Sequence, residues 1–234
     1  MTSPNIAPRF SAVRGSLSLL IGLSCISLLD PLEGAAEEPQ PKVVFTEDFE
    51  SGLDRWEFLD PKTWRLSKSA SPVNTTLEIT ARGSEYKPPV RSPGHVALIK
   101  DLEIGNLDLT FRVRSTLDTG GHRDCCVFFG YQDEQHFYYV HLGAKPDPHS
   151  GQIMIVKEAP RLALTDNQRE TPWDDQWHDV RLVRDVDAGT IEVYFDDMEN
   201  PHMQVTDKTF GTGRVGIGSF DDLNEFDDVI VKTF

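Results

Sequence analysis

The chain has 234 residues, of which 38 are acidic and 23 basic, so its formal net charge is −15 at pH 7. A surface with this excess of acid repels nucleic acid and anionic membranes, and neither is a predicted partner. The length that remains after an N-terminal leader, roughly 195 residues, suits a single all-β domain.

The first 36 residues have the layout of a secretory signal peptide. Arg9 and Arg14 precede an apolar run over 17–29, and small residues end the segment. The run is too short to span a bilayer comfortably, and nothing later in the sequence is longer. The expected organisation is a signal peptide over 1–36, a polar leader over 37–41 and a secreted or periplasmic domain, without a membrane span, over 42–234.

Two neighbouring cysteines, Cys125 and Cys126, lie beyond the leader. Two adjacent thiols do not make a disulfide framework. Successive residues of a strand point to opposite faces, so we expect both thiols to be unbonded, one in the core and one on the other face. The alternative is a vicinal disulfide, which requires a distorted peptide. No neighbouring pattern activates either thiol as a nucleophile.

Period-two alternation recurs along the chain with turn residues between the segments, whereas helical spacing is absent. Many short antiparallel strands without helices or repeats indicate a sandwich or a barrel. The predicted strands are Val43–Phe49, Trp64–Lys68, Thr76–Thr80, Val96–Lys100, Leu107–Arg114, Cys126–Tyr131, Phe137–Leu142, Gln152–Val156, Trp177–Arg184, Thr190–Phe195, Val215–Phe220 and Phe226–Thr233.

Several segments carry a family resemblance. They are FTEDFESGL at 45–53 followed by Trp56, FFGYQD at 128–133, HFYYV at 136–140, WHDVRL at 177–182, GTIEVYFDD at 189–197, GRVGIG at 213–218 and FDDV at 226–229. In this order they resemble the concanavalin A-like lectin and glucanase superfamily, which includes laminin-G-like, laminarinase-like and 3-keto-disaccharide hydrolase-like domains. The resemblance covers nearly all of the mature chain. It implies a single all-β domain, an antiparallel jelly-roll β-sandwich, that recognises a carbohydrate.

The resemblance leaves activity open, because one sandwich supports many functions. Laminarinase-like enzymes carry a Glu-x-Asp-x-x-Glu strand with two catalytic glutamates, and this sequence has none. The asparagine-rich strand of the 3-keto-disaccharide hydrolase-like domains is replaced by CCVFFG at 125–130. We therefore expect an exported carbohydrate-binding protein, accessory to the recognition or degradation of an oligo- or polysaccharide. The alternatives are a glycan hydrolase or polysaccharide lyase, and a structural or protein-interaction module.

Two strands place candidate ligand-binding side chains in pairs. Strand periodicity puts Arg112 and Arg114 on one face, and Tyr139 and His141 on one face of another strand. If these faces coincide, the arginines hold an anionic sugar while Tyr139 or His141 exchanges a proton, and all four are candidate catalytic residues. The alternative is surface arginines paired with acids, and a tyrosine and histidine that cap the core edge.

Polar loops supply the remaining candidates. Trp173 lies in a loop with acidic neighbours, where its indole face is predicted to stack on a sugar ring as a fifth ligand-binding residue. The loop residues His122, Arg123 and His149 are expected to be solvent-exposed rather than metal ligands. Should the predicted glycan site be wrong, the next place to look is the loop over 122–124.

The resemblance also implies a structural calcium ion where the two ends of the chain meet. Its predicted ligands are the carboxylates of Glu47 and Asp227 and a backbone carbonyl near Gly52, since Ca²⁺ prefers several oxygen ligands. The alternative is that these acids are solvated residues at strand ends. No organic cofactor is expected.

Overall fold

The computed structural model describes residues 41–68, 74–118 and 120–234, which form two antiparallel β-sheets packed face to face. The predicted jelly-roll β-sandwich is confirmed. The predicted signal peptide over 1–36, and the leader apart from its last residue, lie outside the described residues. Within the described ranges, no helix has the length and apolar character needed to cross a membrane.

The strands pair into an eight-stranded and a seven-stranded sheet. In chain order they are β1 (Lys42–Glu47), β2 (Trp56–Phe58), β3 (Trp64–Lys68), β4 (Thr75–Ile79), β5 (His95–Ile104), β6 (Leu107–Ser115), β7 (Cys126–Asp133), β8 (His136–His141), β9 (Gln152–Lys157), β10 (Leu162–Ala163), β11 (His178–Arg184), β12 (Thr190–Phe195), β13 (Met203–Thr206), β14 (Gly213–Ser219) and β15 (Asn224–Thr233). Two short 3₁₀ turns cover Pro61–Thr63 and Gly120–His122.

The eight-stranded sheet runs β13-β12-β11-β6-β15-β4-β3, with β1 also paired to β15. The seven-stranded sheet runs β10-β9-β8-β7-β14-β5-β2. Twelve of these strands were predicted, and the three that were not, β2, β10 and β13, have two to four residues and lie at sheet edges. Such short segments show too little alternation to be recognised in the sequence.

The eight-stranded sheet has one buried and one solvated face. Along β6, Leu109, Phe111 and Val113 are buried in the sandwich, while the intervening residues, among them Arg112, are partly exposed. This alternation is typical of an antiparallel sheet that meets solvent on one side. The solvated side of this sheet therefore carries the charged side chains.

The central strands of the seven-stranded sheet, β7, β8 and β9, are buried on both faces. From β7 and β8, Phe129 and Tyr138 point into the sandwich, whereas Phe128 and Tyr139 belong to a second apolar cluster on the outer face. Partly buried side chains from the connecting segments, such as Val90, pack over this second cluster. Because both faces are buried, these strands are runs of mostly apolar residues in the sequence.

The positions of the two cysteines follow from the burial of both faces of these central strands. Cys125 belongs to the sandwich core and Cys126 to the outer cluster, and both are fully buried and unbonded. The predicted opposite orientation of the free thiols is confirmed. Burial raises the pKa of both thiols well above the ordinary value, so both are neutral at physiological pH.

His202, between β12 and β13, is predicted to make stability depend on pH. It is buried, with Nε2 3.2 Å from the Thr171 hydroxyl, and burial with the charge of Arg169 lowers its pKa to about 4. The unfolded chain takes up a proton near pH 6.5 and the folded chain does not, so stability falls as pH decreases from about 6.5 through 4. The shift corresponds to at most about 3 kcal/mol.

His202→Gln, which keeps an acceptor for Thr171, should remove this part of the pH dependence. We expect the difference in unfolding free energy between wild type and variant, measured in urea at neutral and at mildly acidic pH, to shrink toward acid. An equal difference at both pH values would contradict the prediction.

Candidate ligand-binding cleft

A cleft of about 420 Å³ opens at one end of the seven-stranded sheet, where β7 begins and where β8 and β14 end. It is lined by Arg91, Gly121, His122, Arg123, Asp124, His141, Lys145, Asp147, His149, Ser150, Arg161, Phe220 and Asp221. Four of these residues are basic, three are acidic and three are histidines. In a chain of net charge −15, this is a local excess of positive charge.

The buried carboxylate of Asp124 organises the cleft. It accepts hydrogen bonds from the Ser219 hydroxyl at 2.9 Å and from the backbone N–H groups of Phe220 at 2.8 Å and Asp221 at 2.9 Å. Burial alone would raise the pKa of Asp124, but the His141 ring and these N–H groups outweigh it, and the pKa is lowered. Asp124 is therefore a buried anion that holds the segment after β14 in place.

His141 is fixed on three sides. Its Nδ1 lies 2.9 Å from the backbone carbonyl of His149, to which it donates, and its Nε2 lies 3.8 Å from Oδ2 of Asp124. Its ring stacks on Phe220, with centroids 5.5 Å apart and planes 21° apart. A histidine held in this way presents one defined nitrogen toward Asp124.

The loop between β8 and β9 supplies the carbonyl that His141 uses. It is closed by paired backbone hydrogen bonds between Asp147 and Ser150, and the Asp147 carboxylate accepts the N–H of His149 at 2.6 Å. Gly151 ends the loop with φ of +65°, and a Cβ there would lie 2.9 Å from Cα of Pro146. This tight backbone requires glycine.

Three basic side chains in the cleft have no acid within ion-pair distance among the described residues: Arg91, Lys145 and Arg161. The guanidinium carbons of Arg91 and Arg161 lie 5.5 and 4.4 Å from the ring centroid of Phe220, and the backbone N–H of Arg161 donates to the carbonyl of Arg91 at 3.2 Å. Most of their N–H donors remain available to a ligand.

Arg112 and Arg114 share one face, as predicted, but that face is the solvated side of the eight-stranded sheet. Arg112 pairs with Asp228 at 3.1 Å and Arg114 pairs with Glu225. Both guanidinium groups lie about 5 Å from the ring of Trp177, at 5.0 and 5.1 Å. Their positive charges are already compensated, which matches the alternative of surface arginines paired with acids.

The expectation that these arginines converge with Tyr139 and His141 is wrong, because β6 and β8 belong to different sheets. Tyr139 and His141 share the outer face of β8, yet only His141 lines the cleft. Tyr139 is fully buried, its hydroxyl has no hydrogen-bond partner among the described residues, and burial raises its pKa well above the ordinary value. Such a phenol is poorly suited to accept a substrate proton.

Trp173 is held against the core and does not line the cleft. Its Nε1 donates to the Leu142 carbonyl at 2.7 Å, and its ring lies edge-on to Phe195 and His178 at 5.0 and 5.2 Å. The side chain is only partly exposed. The expectation that the indole of Trp173 is free and overhangs the sugar site is therefore wrong, because the ring packs against the core.

The polar loops agree with the sequence in part. His122 and His149 are exposed, as expected, and both line the cleft. Arg123 is buried instead, and its guanidinium pairs with Asp175. Arg91 and Arg161 were not predicted, because they lie in irregular segments far along the chain from His141. The polar, proline-containing stretch at 145–149 was the one available sequence signal for a loop at this place.

Glu47, a predicted calcium ligand, is surrounded by hydrogen-bond donors. Its carboxylate accepts the N–H of Phe49 at 3.0 Å and Nε1 of Trp56 at 3.3 Å, and Nη1 of Arg55 lies 3.9 Å away. Gly52 lies in the same surface pocket, with φ of +105°. Donors and a guanidinium at this carboxylate do not favour a cation.

Asp227, the other predicted ligand, uses its carboxylate elsewhere. It accepts Nδ2 of Asn74 at 2.9 Å and the N–H of Asp228 at 2.8 Å, and it does not line the pocket that contains Glu47 and Gly52. Burial raises the pKa of Asp227. Calcium at this end of the chain stays a prediction.

Comparison with known proteins finds similar structures, whereas no family model and no curated protein matches the sequence. The sandwich is similar to carbohydrate-binding module CBM66 from Bacillus subtilis, with a TM-score of 0.54 and 13% identity over 76% of this chain and 96% of that one. The likeness is one of fold.

Two further structures match at this level. Domain 4 of AbnA, a GH43 extracellular arabinanase from Geobacillus stearothermophilus solved in complex with arabinotriose, has a TM-score of 0.55 and 10% identity over 82% of this chain and 93% of that one. The cellulose-induced protein Cip1 has a TM-score of 0.52 and 16% identity, over 80% and 96%.

Trp173→Ala is predicted to act on stability. Removing the indole takes away its packing against Phe195 and the bond to the Leu142 carbonyl, which should cost on the order of 2 kcal/mol. Denaturant unfolding measures this loss. A variant as stable as wild type that nevertheless loses glycan binding would restore the original interpretation of Trp173 as a stacking platform.

The calcium prediction is tested by metal removal. If Glu47, Asp227 and a carbonyl near Gly52 hold Ca²⁺, a chelator should lower the thermal midpoint and added Ca²⁺ should restore it. A midpoint that does not move, together with no calcium by elemental analysis of the purified protein, would rule out the site.

Proposed function

We propose that the protein is an exported carbohydrate-binding β-sandwich that holds an acidic oligo- or polysaccharide in the cleft at the end of the seven-stranded sheet. The acidic groups of the sugar would pair with Arg91, Lys145 and Arg161. The polar side chains of Asp147 and His149 would bond its hydroxyl groups. Export, an accessory role in polysaccharide use and membership of the concanavalin A-like superfamily belong to the proposal on the strength of the sequence.

The observation that carries the proposal is the set of uncompensated basic side chains. The chain has 38 acids, yet these three cations meet in one cleft without an acidic partner among the described residues. Arginine binds carboxylate and sulfate through two parallel hydrogen bonds, and such charge-assisted bonds are the strong ones. A ligand with negative groups is therefore favoured over a neutral glycan.

The structural neighbours lend general support. One is a carbohydrate-binding module, and another was solved with arabinotriose. Both share with this chain a sandwich whose loops are free to vary, and binding residues are often carried by loops on a rigid scaffold. This support is for saccharide binding and not for a particular sugar.

A glycan lyase or hydrolase is the second candidate, and one observation favours it. His141 lines the cleft, and the hydrogen bond from its Nδ1 to the His149 carbonyl orients the ring, as the ring of a general base often is oriented. The other predicted catalytic residues lie outside the cleft: Tyr139 is buried, and Arg112 and Arg114 are on the other sheet. Binding is therefore the better supported function.

The proposal predicts that the acidic group of the sugar determines binding. Calorimetry with an oligouronate and with its methyl ester should show binding of the free acid only, weakened by added salt. Arg161→Gln or Arg91→Gln should weaken binding about tenfold or more, since a hydrogen bond to a charged group contributes about 1.5–3 kcal/mol. Arg112→Gln is the matched control and should bind as wild type does.

Three results would contradict the proposal: equal binding of acid and ester, full binding by both cleft variants, or the same loss in Arg112→Gln. Shortened or unsaturated products after incubation with wild type, and their loss in His141→Gln, would establish the enzyme instead. No binding to any acidic or neutral oligosaccharide would leave the protein-interaction module as the remaining candidate.

A further inference from the structure

Three side chains with different metal-binding atoms meet beside the cleft, whose lining includes Asp124 and His141. The ligand atoms of Asp124, Cys126 and His141 all lie within 4.8 Å of one another, and all three residues are buried. The strand register explains why these three side chains are close together. Cys126 and His141 are directly opposite on β7 and β8, where paired Cβ atoms are about 4.5–5.5 Å apart. Asp124 precedes Cys126 by two residues.

Each of the three has a free electron pair for a cation. Nδ1 of His141 is used by the His149 carbonyl, so Nε2 is the nitrogen that faces Asp124. A histidine that donates its other ring N–H to a carbonyl is the usual form of a metal ligand. On Asp124, Oδ1 accepts two hydrogen bonds and Oδ2 accepts one, so Oδ2 keeps a lone pair.

Cys126 completes the set. Among the described residues nothing donates to or accepts from its thiol, although it is fully buried. The hydroxyl of Tyr139, on the same outer face, is likewise buried and without a described partner, and Cys126 and Asp124 are among its electrostatic neighbours. Buried polar atoms without partners require an explanation, and an ion beside them is one.

We propose that Asp124, Cys126 and His141 bind a zinc ion, with the fourth position open toward the cleft. Sulfur, imidazole nitrogen and carboxylate oxygen are the ligands that zinc takes, and an open fourth position is typical of zinc sites that act on a ligand. Tetrahedral zinc ligands are about 3.3–3.7 Å apart, so side-chain movements of about 1 Å close the set.

The charges of the site balance. Binding replaces the thiol proton, which leaves as H⁺, so the thiolate and the Asp124 carboxylate together neutralise Zn²⁺. A neutral site is compatible with the positive side chains Arg91 and Arg161 nearby, whereas a cation held by neutral ligands would be repelled by them. The zinc site does not depend on the proposed saccharide.

The neighbouring cysteine gives a matched control. We would treat the full protein with a chelator, titrate it with Co²⁺ as an optical substitute for zinc, and record the thiolate-to-cobalt absorption band. Wild type and Cys125→Ser should bind one equivalent with the band, because Cys125 points into the sandwich core. Cys126→Ser should lose the band and bind at least about 100-fold more weakly, the upper range for loss of a supporting group.

Zinc should displace cobalt from wild type and raise its thermal midpoint. The proposal is overturned if wild type gives no thiolate band, if Cys126→Ser keeps it, or if Cys125→Ser loses it while remaining folded. If Cys126→Ser fails to fold, the wild-type titration still decides, and His141→Gln takes the place of the variant with the same expected loss of affinity.

Discussion

The buried carboxylate of Asp124 is the interaction on which the cleft depends. A buried charge costs several kcal/mol unless hydrogen bonds compensate it. Here the compensation comes from Ser219, Phe220 and Asp221, one continuous segment that begins at the last residue of β14. Because the carboxylate requires these donors, it fixes the segment, and with it the Phe220 ring on which His141 and two arginines rest.

The position of the cleft follows from the burial of the seven-stranded sheet. In a sandwich with one open face, a ligand can lie across the strands. Here the outer face of β7, β8 and β9 is apolar and covered by connecting segments, so the face itself is not available. Polar groups are left at the end of the sheet, where the strands stop and loops begin. Charge and access therefore coincide at one place.

The fold could be predicted well from the sequence because the alternation of apolar and polar residues is a local property of each strand. The alternation of β6 predicted that Arg112 and Arg114 share one face, and the structure places them on one face. The double burial of β7 and β8 corresponds to a run of apolar residues in the sequence. The site depended on which strands are neighbours, which periodicity does not give. Arg112 and His141 were predicted to lie in one site from the alternation of their own strands alone. In the structure β6 pairs with β11 and β15, whereas β8 pairs with β7 and β9, so the two residues lie on different sheets.

Cys125 and Cys126 are consecutive in the chain but lie in separate apolar layers, so each thiol reports on the opening of a different layer. In the metal-free protein, Cys125 is expected to become reachable only when the two sheets part, and Cys126 when the connecting segments lift from the outer face. Local opening and global unfolding differ in free energy in most proteins. The chain thus carries, at adjacent positions, a natural pair of reporters whose rates of chemical labelling would distinguish the movement of its loops from the separation of its sheets.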